Sequence, residues 1–212
     1  MHPLIQLALR AMTALTVAYH TIWACAPSAH LPPPLPNVAG EMSFGGTVLG
    51  GSSAPLSEVP SLDEMKGYGE AQAWGSYALT DRWNLTGTAY IGVVSLLGGG
   101  VNARFDIVET DRVQLGVQAG GGFIYATAGV PFSVGVTDSL TLYTLPSVTT
   151  SAGNRESVID LPITPQVPLG LWWTSPTGVG AGVELGAVFY PDGRELHSLP
   201  YVALSMGYSP SL

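Results

Sequence analysis

Gly69–Val94 reads GEAQAWGSYALTDRWNLTGTAYIGVV, and its pattern decides how the chain folds. Two alternating runs flank Thr80-Asp81-Arg82, a tight-turn signal, because Thr and Asp side chains bond nearby backbone N–H groups. In the second run Trp83, Leu85, Gly87, Ala89, Ile91 and Val93 share one parity; Asn84, Thr86, Thr88 and Tyr90 share the other. Side chains alternate across a strand. The stretch is therefore a hairpin with one apolar and one polar face.

The same pattern recurs along the chain. Thr-Asp returns at Thr110-Asp111 and Thr137-Asp138, and Thr174–Gly178 carries the Pro/Gly form of the signal. The four turns define four hairpins: Tyr68–Leu79 with Trp83–Ser95, Val101–Glu109 with Val113–Tyr125, Gly129–Val136 with Ser139–Val148, and Ile163–Trp173 with Val179–Tyr190. Gly40–Gly50 precedes them and Leu199–Tyr208 follows. The spacing predicts an all-β fold, a closed antiparallel up-and-down barrel of about ten strands, or eight if the short Gly129–Val148 hairpin is discounted. Short turns and both termini fall at one end. The longer connections Gly51–Gly67, Thr149–Pro162 and Pro191–Ser198 fall at the other.

Alternation alone does not say which face is inside. A soluble barrel would point its apolar face inward. Charge and composition favour the reverse. Only 10% of residues are charged, 27 are Gly, and seven Lys and Arg stand against fifteen Asp and Glu, for a net charge of −8. An acidic chain lacks the basic footprint that nucleic acid requires. No run after the leader is long and apolar enough for a helical span. The apolar face therefore meets lipid, making the barrel transmembrane. Tyr77, Trp83 and Trp173 are expected as an aromatic girdle beside the short turns, with Phe44, Phe123 and Phe189 farther up.

Residues 1–24 read as a secretory signal, with Arg10 as its one fixed positive charge and a mainly apolar Ala11–Ala24. Its end, Ile22-Trp23-Ala24-Cys25, resembles the lipobox of bacterial lipoproteins, which implies lipidation of Cys25. Ordinary cleavage after Ala26 is the alternative, since Ala24-Cys25-Ala26 is also a small-x-small site. Cys25 is the single cysteine, so no intramolecular disulfide forms. Residues 25–39, with Leu31-Pro32-Pro33-Pro34-Leu35-Pro36, form a Pro-rich spacer, and 40–212 the barrel.

From Gly40 to Tyr208 the alternation and T-D turns resemble small outer-membrane β-barrel proteins of Gram-negative bacteria, the OmpA-like and porin-like class. That resemblance implies a cell-envelope protein in the bacterial outer membrane, with periplasmic termini. Its partners would be membrane lipids and the outer-membrane assembly machinery. Many such barrels end on an aromatic; here Tyr208 is followed by Ser209–Leu212.

Chemistry is sparse. His197-Ser198, with Asp192 and Glu195 in the last outer loop, is the one group that suggests a barrel hydrolase, but neighbours in an extended chain point apart. No Cys/His metal spacing exists, and Asp63 and Glu64 are too few for an oxygen site. Gly98–Gly100 reads as a tight loop and Gly120–Gly122 as a small-residue lumen stripe. No cofactor, metal or catalytic residue is expected. Trp74, Tyr90, Gln114, Gln118 and Trp172 point inward and fill a lumen whose many glycines leave space. Arg104, deep inside, is expected to pair with Asp106 along the strand, with Glu184 across the lumen, or with both. The favoured role is structural, anchoring or surface-interacting; the alternative is a narrow passive channel for small solutes.

Overall fold

The computed structural model describes residues 38–55, 66–92, 96–122, 125–151, 163–192 and 195–210. The signal, Cys25, the spacer as far as residue 37 and Phe123 lie outside them. Its strands are β1 (Met42–Pro55), β2 (Lys66–Ala78), β3 (Trp83–Gly92), β4 (Leu96–Glu109), β5 (Val113–Gly122), β6 (Tyr125–Gly129), β7 (Phe132–Thr137), β8 (Leu140–Thr144), β9 (Ser147–Ser151), β10 (Ile163–Thr174), β11 (Val179–Asp192) and β12 (Glu195–Tyr208). β6 and β7 are one barrel strand interrupted at Val130-Pro131; β8 and β9 are another interrupted at Leu145-Pro146. All pairings are antiparallel, and β12 pairs back onto β1. The result is a closed barrel of ten strands, with no helix among the described residues.

The Thr side chains make the turns. Thr80 Oγ1 accepts the N–H groups of Arg82 and Trp83, at 3.2 and 3.0 Å. Thr110 Oγ1 does the same for Arg112 and Val113, at 3.4 and 2.9 Å, and Thr137 Oγ1 accepts Ser139 N–H. Two of the Asp residues that follow, Asp81 and Asp138, act elsewhere. Asp81 accepts the Ala39 N–H, tying the N-terminal segment to the first turn, and Asp138 meets Arg112 at 3.5 Å. In the fourth turn Gly178 adopts φ 83°, a left-handed conformation that glycine takes without strain. Ser209 N–H bonds to its carbonyl, so the C-terminal segment is held at the same rim.

Several boundaries differ from expectation. The strand expected over Val113–Tyr125 ends at Gly122, and the next begins at Tyr125 rather than Gly129. Pairing extends farther toward the long-connection end than the alternation does. β1 runs to Pro55, and Asp192 pairs with Glu195, so Pro191–Ser198 is mostly hairpin rather than loop. Backbone pairing needs no amphipathic side chains, and these Gly-, Ser- and Pro-rich ends carry none. Gly98–Gly100 is likewise strand, paired with β3, and not a loop.

The faces segregate cleanly. Phe44, Val101, Leu169, Leu185, Leu204 and Met206 point outward and are 56–67% exposed. Among the described side chains within the strands, the charges are Glu70, Arg104, Asp106 and Glu184, all buried in the lumen, and Glu109, exposed at the short-turn end of β4. Glu41, Asp81, Arg82, Glu109, Asp111, Arg112 and Asp138 sit at or beside the short-turn rim. Tyr77, Trp83 and Trp173 stand outward at that rim. Phe44 joins them there instead of lying farther up. It pairs with Tyr208, ring centroids 5.8 Å apart, because β1 starts at the short-turn end. Phe105 packs on Trp83 at 5.0 Å, and Phe189, opposite Ser198, is near the other end.

Candidate functional site: the lumen

The lumen is built from the inward residue of each alternating pair. Trp74, Tyr90, Gln114 and Trp172 are buried there, and Gln118 is half-buried. The glycines that the sequence suggests leave space are instead sockets for aromatic rings. A Cβ on Gly98 would strike Tyr90; on Gly100 or Gly122, Tyr125; on Gly170, Tyr143; on Gly186, Tyr201; on Gly45, Trp74; on Gly180 or Gly182, Trp172. Many of these pairs are directly cross-strand: Tyr90 faces Gly98, Tyr143 faces Gly170, Trp172 faces Gly182 and Tyr201 faces Gly186. Each ring lies over its neighbour's bare backbone, which tiles the wall and fills the volume that a side chain would need. Trp74, Tyr143 and Trp172 form one cluster; Leu49, Val188, Tyr201 and Ala203 form another, with Leu199 against it.

The polar side chains pair with one another across strands. Thr47 meets Ser205 at 2.9 Å, and Ser76 meets both Asn84 and Thr86 at 2.6 Å. Thr149 donates to Thr127 at 3.1 Å and Ser133 to Gln114 at 3.2 Å, while Gln72 donates to Glu70 along its own strand at 2.5 Å. Buried polar groups need such partners because each unmade bond costs its full desolvation. The amide of Asn102, 2% exposed, has no protein partner at either atom, and the indole N–H groups of Trp74 and Trp172 have none either.

Arg104 reaches Asp106 along its own strand, Nη2–Oδ2 3.1 Å and Nε–Oδ2 3.2 Å. Asp106 is 1% exposed, and a β-bulge follows it, between Asp106 and Val108. β11, which carries Glu184, is five strands away from β4 in the ring of ten, the opposite wall. There Glu184 accepts the Tyr201 hydroxyl at 2.8 Å. Sequence reasoning missed Tyr201 as its partner. The signal was present, since both residues have inward parity, but the contact is diagonal across the β11–β12 ladder and needs the register to be seen. Also missed were Pro131, Pro146, Pro165 and Pro168, all within strand-forming stretches, where proline is a warning sign.

His197 is on β12, with backbone partners Pro55 and Tyr190, and not in a loop. Its side chain and those of Asp192 and Glu195 lie outside the description. Among the described residues no cluster of His, Cys, Asp and Glu could hold a metal.

No known family matches the sequence, and no curated protein matches it. Solved structures do resemble the fold. The Ail attachment invasion locus protein of Yersinia pestis is 12% identical, with 81% of this chain and 99% of that one covered, at TM-score 0.39. The NanC porin is 9% identical over 79% and 100%, at TM-score 0.49. The outer membrane protein OprG from Pseudomonas aeruginosa is 12% identical over 82% and 97%, at TM-score 0.34. Each of these scores is below 0.5, so the role of this barrel has to be read from its own faces.

Proposed function

We propose that the chain is a bacterial outer-membrane β-barrel protein whose filled lumen fits a structural, anchoring or surface-interaction role. One observation carries this reading. Among the described strand residues, charge is confined to the lumen and the rim, while the outward band is apolar and bounded by Tyr77, Trp83 and Trp173. Water would penalise that band and lipid would not. A closed barrel also leaves no strand edge unpaired, as a bilayer demands. Inside, the side chains of Glu184, Asn102, Thr149 and Asp106 are fully buried. Barrels of eight to ten strands are about narrow enough for side chains to fill.

The unpartnered amide of Asn102 favours a second reading, a narrow passage wetted along the polar wall. Planar-bilayer recording separates the two. A filled barrel gives no reproducible unitary steps in molar KCl; regular open steps would overturn the closed reading and favour the channel.

A further inference from the structure

A barrel wall survives in hydrocarbon because each hydrogen-bonded pair of residues exchanges two bonds across the strands. Proline cannot donate, and in sheets it is normally kept to edges and bulges. Here Pro131, Pro146 and Pro168 occupy three adjacent barrel strands at nearly one level. The register continues unbroken across them. Gln118↔Gly129 and Leu115↔Phe132 bracket Gly116 opposite Pro131. Ser147↔Gln166 and Tyr143↔Gly170 bracket Leu145 opposite Pro168. There is thus no bulge to excuse the prolines. Gly116 N–H donates to Pro131 O and Val130 N–H to Pro146 O, each at 2.9 Å, and in neither pair can the return bond form. At the third seam the Pro168 carbonyl takes the hydroxyl of Thr144, a side chain, at 2.5 Å.

At the level of the prolines the side chains are mostly apolar on both faces of the wall, apart from Thr144 outside and the neighbouring Ser147–Gln166 pair inside. Val130, Pro146, Val148, Val167 and Leu169 are outside. Leu145, Pro131 and Pro168 are inside, in contrast to the hydroxyl- and amide-lined wall of β2 to β5. A wall that is thinned in hydrogen bonds and carries an apolar step from Val167 and Leu169 outside to Leu145 and Pro168 inside suits a hydrocarbon chain.

We propose that the barrel opens laterally between β8–β9 and β10, latched by the Thr144–Pro168 bond, and that the end of a lipid acyl chain enters there to reach Leu145. This rests on the membrane reading above. Four single-cysteine variants of the full chain test it, each with Cys25→Ala and reconstituted in phosphatidylcholine vesicles. L145C is the site, V148C the lipid-facing control, T86C a lumen control on the opposite wall, and L145C/T144V the unlatched form. Two hydrophobic probes are used, dodecyl maleimide and a phospholipid carrying maleimide at its acyl terminus, with a charged methanethiosulfonate as the aqueous probe.

Both hydrophobic probes should label L145C well above T86C, and the charged probe should lag behind them. T144V should speed that labelling about fivefold, the factor that one lost hydrogen bond of ordinary net strength corresponds to. Labelling by dodecyl maleimide alone would support the opening and make a single-chain amphiphile its occupant. L145C labelled no faster than T86C while V148C reacts, or labelled best by the charged probe, would overturn the proposal. An unreactive V148C would overturn the membrane reading, and the proposal with it.

Discussion

Asp106→Leu is the sharpest probe of the lumen. Both Arg104 contacts made to this carboxylate, at 3.1 and 3.2 Å, converge on one oxygen, Oδ2, of a residue that is 1% exposed. The Arg104 side chain is 9% exposed, so little water is on hand to replace the carboxylate. Glu109, the other carboxylate acting on this guanidinium, sits at the exposed end of β4, where solvent screens it. Removing one partner of a buried pair strands the other, at about 3–5 kcal/mol, whereas replacing both with apolar groups is often close to neutral. Asp106→Leu should therefore cost about 3–5 kcal/mol. Arg104→Met should cost less, because a stranded carboxyl can take up a proton and shed its charge. The double variant should recover most of the loss, giving a coupling energy of about 3 kcal/mol, at the upper end for residues in contact. Urea unfolding of the reconstituted barrel, followed by intrinsic fluorescence and by band shift on gels, measures all four corners. If Asp106→Leu lies within about 0.5 kcal/mol of the parent and the coupling vanishes within the usual additivity error, the guanidinium is solvated and the lumen is wet.

Two other perturbations test the faces. Leu185→Arg, on an outward residue 59% exposed and in mid-strand, should lower barrel stability by about 2–4 kcal/mol in lipid, while Gln118→Arg, facing the lumen, should cost less; the reverse order in the same urea titration would mean an apolar interior and a soluble barrel. Gly98→Val should cost about 1–3 kcal/mol by overpacking against the Tyr90 ring, and Tyr90→Ala in the same chain should recover part of it; equal losses with and without the ring would show that the socket is not what holds glycine there.

What the sequence made legible was whatever obeys a local period. The ladder from Trp83 to Ile91 faces as its alternation requires, with Asn84, Thr86 and Tyr90 buried and Leu85, Ala89 and Ile91 exposed. The four turns carry their own side-chain signals, so the strand count follows from them. Strand ends were harder. Gly98–Gly100 and Pro191–Ser198 lose alternation while keeping their backbone pairs, and pairing is not written in side-chain polarity. The lumen contents were legible only as a list of inward residues. Which ring covers which glycine, and that Tyr201 meets Glu184, depend on register between strands, a non-local quantity. The glycine-rich stretches show the cost of reading composition without register. On each strand they suggest emptiness, yet the neighbouring strand supplies a tyrosine or tryptophan at the matching position, so the same residues close the barrel. The prolines invert that lesson. Pro131, Pro146 and Pro168 are visible in the sequence and break a local rule that the other described strands of the wall keep almost throughout. Their register places them side by side within the outward apolar band. A local rule broken three times at one level, with the fold otherwise consistent, is where a functional constraint is expected to outweigh stability.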